Sequence, residues 1–144
     1  MSNTHRVAET AQAYSRMPSS TARARDTAGL RAVLALADKL ELTRRQLSAL
    51  LGCPERTLYH WKKQTDAGGL STPLPRDTLE RLSYLLGIWK ALRILFPDDG
   101  RAAGWLRRPN AAPGFGDHSA LERMLAGQVA DLYFVRSYLD GWRS

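Results

Sequence analysis

Apolar residues recur at helical spacing along most of this chain, and nowhere do they alternate over a useful length. Leu30, Val33, Leu34, Ala37 and Leu40 line one stripe, which predicts a helix from Asp26, a suitable N-cap, to about Leu40. Leu47, Leu50 and Leu51 line a second helix, opened by Thr43 and ended by Gly52. Pro54 is placed to open a third, in which Leu58 and Trp61 point one way. From about Arg76 to Phe96 a broad stripe of Leu79, Leu82, Leu85, Leu86, Trp89, Leu92 and Phe96 is widened by Tyr84, Ile88 and Leu95. A helix apolar over so much of its circumference is buried on more than one side, so it reads as a spine and a candidate dimer interface. A short helix over 101–106 presents Trp105 and Leu106. Ser119 and Glu122 form a capping box for a helix bearing Leu121, Met124 and Leu125 and closed by Gly127. The last helix, about 128–142, carries Val129, Leu132, Val135, Leu139 and Trp142. The fold class is all-α.

The breaks divide the chain into four parts. Residues 1–25 read as a basic arm in which Val7, Ala8, Ala11 and Tyr14 offer at most a short amphipathic helix and SSTARAR is solvated. Such an arm either enters a minor groove or is a disordered tail. Residues 26–75 hold the first three helices and end in TDAGGLSTPLP, which is either a linker or a wing touching a DNA backbone. Residues 76–96 are the spine, stopped by Pro97, Asp98, Asp99 and Gly100, and 97–144 form a small helical unit interrupted by the loop AAPGFGDH.

The second and third helices, TRRQLSALLGCPERTLYHWKK, have the form of a helix-turn-helix. Arg56, Tyr59, His60 and Lys63 fall at i, i+3, i+4 and i+7, opposite Leu58 and Trp61. Donors and a phenol on one face suit phosphates and base edges in a major groove. Arg44, Arg45, Thr57 and Lys62 stand beside them. The plain alternative is a solvated face on a helical hairpin.

Charge favours the first view. The chain carries a formal net charge of +7 over 144 residues. The segment 43–63 sets Arg44, Arg45, Arg56, Lys62 and Lys63 against Glu55 alone, whereas 97–144 has six bases and six acids. Cys53, the one cysteine, forms no internal disulfide and reads as a small core residue in the turn, compatible with a reducing cytoplasm. The start, though rich in Arg, Ser and Ala as transit peptides are, lacks the apolar core of a secretory signal. The most apolar run is interrupted by Glu80, Arg81, Lys90 and Arg93, which argues against a membrane span. Catalysis is poorly supported: His5, His60 and His118 form no triad or ligand pattern, and Asp98–Asp99 marks a turn. Gly114, Phe115 and Gly116 are too few for a phosphate cradle, and no cofactor is expected.

From about residue 28 the chain resembles the Xre/MbcA/ParS antitoxins, first through LSALLGCPERTLYHWKK and the spine LERLSYLLGIWKALRILFPD. The more specific part of the resemblance is GWLRRPN, SALERMLAG and VRSYLDGWR. Ala120 stands where the family commonly has Pro, and the loop 111–118 is longer than usual. The resemblance implies pairing with a RES-domain toxin that consumes NAD, whose active site the C-terminal helix covers or enters. It also implies operator binding that represses the pair's own promoter. The toxin-binding residues so implied are Arg136, Tyr138, Leu139, Trp142 and Arg143, with core packing the alternative for Leu139 and Trp142. A homodimer and a higher complex with the toxin are expected. A stand-alone repressor is the competing reading, and it leaves the neutral C-terminal part without a task.

Overall fold

The structure, a computed structural model, describes residues 19–143 apart from the Arg143 side chain. The expectations for residues 1–18 lie outside the described residues. Among the described residues there are seven helices and no strand: α1 Ser19–Lys39, α2 Arg44–Leu51, α3 Glu55–Asp66, α4 Arg76–Leu95, α5 Asp99–Arg107, α6 Ala120–Leu125 and α7 Val129–Arg143. The expected all-α fold is the observed one.

The first helix corrects the expected arm. SSTARAR is helical and continuous with the stripe that follows, so α1 begins seven residues before Asp26. Asp26 therefore caps no helix. It is buried, and its carboxylate accepts the Leu74 N–H at 2.9 Å and an N–H of Arg25 at 3.2 Å. An acid at the edge of an apolar stripe thus serves a neighbouring loop instead of its own helix end. Thr27 does the same, accepting the Leu70 N–H at 3.0 Å. Gln64 takes the Ser71 N–H at 3.2 Å, and Leu70 and Leu74 are buried. TDAGGLSTPLP is thus a pinned, packed connection and not a loose linker.

The spine α4 joins the halves. It buries Thr78, Leu82, Leu85, Ile88, Ala91 and Leu92, with α1 and α2 on one side and α5 and α7 on the other. Most of the apolar circumference that suggested a dimer interface is used inside the chain, although Ile94 remains half exposed. Contacts between α4 and α7 advance together, from Arg81 with Gly127 through Tyr84 with Tyr133 to Phe96 with Trp142. The two helices therefore run parallel, and α5 and α6 supply the return path. Because α2 also packs on α6, one core runs through both halves.

Two further ends differ from expectation. The acidic run after α4 both stops that helix and starts the next, since Asp98 accepts the Arg101 N–H at 3.0 Å and α5 begins at Asp99. Ser119 caps α6 by accepting the Glu122 N–H at 3.0 Å, but the reciprocal half of the box is missing. The Glu122 carboxylate turns instead to His118, 2.9 Å away. The loop before it is anchored by Phe115, buried against Trp105, Phe134 and Tyr138.

Candidate functional site

The reading face is built from the caps inward. Thr43 accepts the Gln46 N–H at 3.0 Å, and the Gln46 side chain accepts the Thr43 N–H at 2.9 Å, so α2 starts on a reciprocal box. Gly52 ends it at φ 66°, a left-handed conformation that costs an L-residue free energy. An ideal Cβ there would also lie 2.7 Å from the Arg81 Nε. Arg81 threads between elements: it pairs with Asp77 at 3.0 Å and donates to the Gly127 carbonyl at 2.9 Å. The turn after α2 therefore rests on a side chain that also holds the entry to α7. Burial in this turn pushes the Cys53 thiol up from its ordinary value, and the Arg81 guanidinium opposes part of the shift. Pro54 opens α3 as expected.

On α3, Leu58 is buried and Trp61 packs on the core. Arg56, Tyr59, His60, Lys62 and Lys63 are exposed, Thr57 is half-buried, and Arg44 and Arg45 are exposed on the first turn of α2. Tyr59 sits at the centre. Arg44 lies 5.6 Å and Lys63 5.3 Å from its ring, and His60 meets it edge-on at 5.9 Å. Such cation–ring contacts at exposed sites contribute about 0.5–1 kcal/mol, enough to bias the side chains without fixing them. The ring thus brings an α2 cation to the α3 face. Among the described residues, Arg44, Arg45, Arg56, Lys62 and Lys63 form no ion pair. At the far end Arg31 donates to the Thr65 carbonyl at 2.8 Å, satisfying an end acceptor of α3. Of the eight residues expected at a DNA face, Arg44, His60 and Lys63 gather around Tyr59, while Arg45, Arg56 and Lys62 are exposed on the same hairpin and Thr57 is half-buried.

The residues implied for a toxin contact separate. Leu139 is fully buried beside Leu132 and Val135, so it offers no surface, a correction that follows from its place on the inner stripe of α7. Trp142 is half exposed, meeting Phe96 at 5.8 Å and Trp105 at 6.2 Å. Tyr138 is half-buried, stacked on Trp105 at 6.0 Å. Arg136 bonds Asp140 at 2.9 Å and lies over Gly87, where an ideal Cβ would fall 1.5 Å from its guanidinium nitrogen. The Arg143 side chain lies outside the described residues. Sequence reasoning treated Phe96 and Trp105 as parts of local stripes; the structure gathers them with Trp142 around one end of the bundle, a long-range proximity no local spacing signals.

Among the described residues, no three His, Cys, Asp or Glu side chains come together as a metal site, and no helix is long and apolar enough to cross a membrane. Comparison with known families gives two matches. Residues 20–87 match the antitoxin Xre-like helix-turn-helix domain. Residues 91–144 match the antitoxin Xre/MbcA/ParS C-terminal toxin-binding domain. The chain is also similar to an uncharacterized protein, y4oB, of Sinorhizobium fredii, with 50% identity over 121 residues, covering 83% of this chain and 88% of that one.

Proposed function

We propose that this chain, which belongs to the Xre-family antitoxins and is therefore a toxin-binding, helix-turn-helix protein and not an enzyme, neutralises a RES-domain, NAD-consuming toxin and represses its own promoter. The observation that carries this reading is the segregation of its surface. Cations without an ion pair among the described residues gather on α2 and α3, and half-exposed aromatic rings gather where α4, α5 and α7 end. The first surface suits a polyanion, and its donors can read base edges. The second suits a protein pocket, because partly exposed Trp and Tyr supply large contact area with few rotors to order. A RES-type partner is supported by the resemblance of GWLRRPN, SALERMLAG and VRSYLDGWR to antitoxins of such pairs. In this reading the exposed end of α7, with Trp142, Arg136 and Arg143, covers the toxin's active site and excludes NAD. The packed loop 67–75 beside α3 serves as a wing on the DNA backbone. Two copies, bridged by the toxin or paired directly, present two α3 helices to half-sites about 34–36 Å apart or a multiple of that. The place of action is the cytoplasm, where toxin and promoter are both met.

Deleting α7 is a poor test, since Leu132, Val135 and Leu139 leave the core with it. Point variants serve better. Co-expression with the product of the neighbouring reading frame should rescue growth for the wild type and fail for a Trp142→Ala, Arg143→Glu double variant of equal abundance. Full rescue by that variant places the neutralising surface elsewhere. Failure of the wild type to rescue, together with no capture of the neighbouring product, overturns the RES-toxin pairing.

A further inference from the structure

We infer that Arg107 and Arg108, at the end of α5 in the toxin-binding half, form a second phosphate-contacting site continuous with the helix-turn-helix. The inference rests on the DNA reading above and adds to it a contribution from the other half. Its basis is how α5 ends. Leu106 is buried and lies with Leu40, Leu42 and Leu47 around a small apolar cavity, which fixes the end of α5 against the start of α2. The Arg107 guanidinium donates to the Leu40 carbonyl in the turn between α1 and α2. From Leu40 to Arg44 the chain advances four residues, a span of at most roughly 14 Å. Each DNA strand carries about one charge per 3.4 Å of axis. The arginines of α5 and those of α2 thus lie within reach of the same short stretch of backbone.

The charges at this junction are available. Arg44, Arg45, Arg107 and Arg108 are exposed, and among the described residues none forms an ion pair. Arg107 uses one donor on Leu40 and Arg108 one on the Gly104 carbonyl, which leaves several of the five N–H groups on each fork. Glu41 and Asp38, both exposed at the same turn, are the opposing acids, so the four arginines keep a local excess of two positive charges. Two arginines further along this half are paired: Arg123 with Asp131 at 3.2 Å and Arg136 with Asp140 at 2.9 Å. A phosphate backbone is the partner that fits unpaired guanidinium forks contiguous with a reading face.

The test is binding of the full chain to a labelled duplex of its own promoter and to an unrelated duplex, at several salt concentrations. Arg108→Gln is the main variant, because Arg107 also holds the Leu40 carbonyl. Arg101→Gln is its charge-matched control: it is exposed and forms no ion pair among the described residues, but it lies seven residues back, about 10 Å along α5. Arg108→Gln should weaken binding several-fold on both duplexes and reduce the slope of log K against log salt by about 0.9. Arg101→Gln should leave the slope at its wild-type value, and toxin capture should be unchanged in both. A wild-type slope and affinity for Arg108→Gln overturns the site while the helix-turn-helix reading stands. Equal effects of the two variants overturn it in favour of a diffuse field. Loss of toxin capture with DNA binding intact reassigns the pair to the protein partner. A wild-type chain that binds neither duplex overturns the site and the DNA reading together.

Discussion

The two halves share one core and differ in what they do with charge. Around Tyr59 the helix-turn-helix half holds Arg44 and Lys63 against a ring, and among the described residues neither forms an ion pair. The C-terminal half pairs the arginines of α6 and α7, Arg123 with Asp131 and Arg136 with Asp140, and offers aromatic surface there, while Arg107 and Arg108 lie at its junction with the helix-turn-helix. An anionic partner releases counterions when it neutralises free cations, so unpaired charge favours DNA. A protein pocket gains from burying rings and is penalised by unmatched charge. The difference in pairing, more than the difference in net charge, separates the α3 face from the aromatic end of α7.

The comparison breaks if the halves are independent domains, and the largest expected effects test that. Leu51 and Leu139 are each fully buried, one in each half. Replacing either by Ala should cost about 2–5 kcal/mol of stability. Trp61 reports on the first half and Trp105 and Trp142 on the second, so urea unfolding followed by fluorescence and by helicity should give coincident transitions in both variants. Separate melting of the half that carries the substitution would mean that the common core does not act cooperatively.

The next effects are smaller and should be separable. Arg56→Ala or His60→Ala should weaken operator binding by about 1–3 kcal/mol if a base contact is lost, with toxin capture unchanged. Trp142→Ala should weaken toxin capture by about 2 kcal/mol, as exposed aromatic anchors do, with DNA affinity unchanged for the free chain. Titrations of each variant against both partners make the check. Joint loss in either variant would point to a fold defect or to one shared surface.

Local signals carried much of this far. The spacing of Leu47, Leu50, Leu51 and Leu58 and the punctuation by Thr43, Gly52 and Pro54 are properties of single turns of chain, and the hairpin they describe is the observed one. So is the i, i+3, i+4, i+7 face of α3. What escaped is nonlocal. Asp26 looks like a cap because its partner, the Leu74 N–H, is 48 residues away. Glu122 looks like half of a capping box until His118 competes for it. Leu139 and Trp142 lie on one stripe of one helix, yet the first is enclosed and the second is at the rim. Only the packing of α4 and α5 around α7 decides that.

Gly52 sharpens the comparison at the junction of the halves. Gly52→Ala should destabilise by about 1–2 kcal/mol through its left-handed backbone alone. It also displaces Arg81, which then loses the Gly127 carbonyl at the start of α7. In an Arg81→Ala background only the backbone part should remain, so the two substitutions should be less than additive. Strict additivity in denaturation would show that Arg81 does not transmit the strain from one half to the other.

The smallest effect concerns Gly87, and there the sign is informative. A helix-interior Gly→Ala change normally stabilises by about 0.8–1 kcal/mol. Here the new methyl would occupy the place of the Arg136 guanidinium and push it off α4. The displaced side chain can keep Asp140, four residues on, but surface pairs of that kind contribute only about 0.3–0.5 kcal/mol. Gly87→Ala should therefore leave the fold as stable as before or slightly more so, by up to about 1 kcal/mol. If the seat on Gly87 presents Arg136 to the toxin, capture should weaken in the same variant whose melting temperature holds or rises. Arg136→Lys, which keeps the charge and loses the planar fork, should weaken capture in parallel while leaving Gly87 untouched. A destabilised Gly87→Ala chain would show that the guanidinium is packing for the α4–α7 contact. Unchanged capture in both variants would remove Arg136 from the toxin surface and leave that surface to Trp142 and its neighbours on α4 and α5.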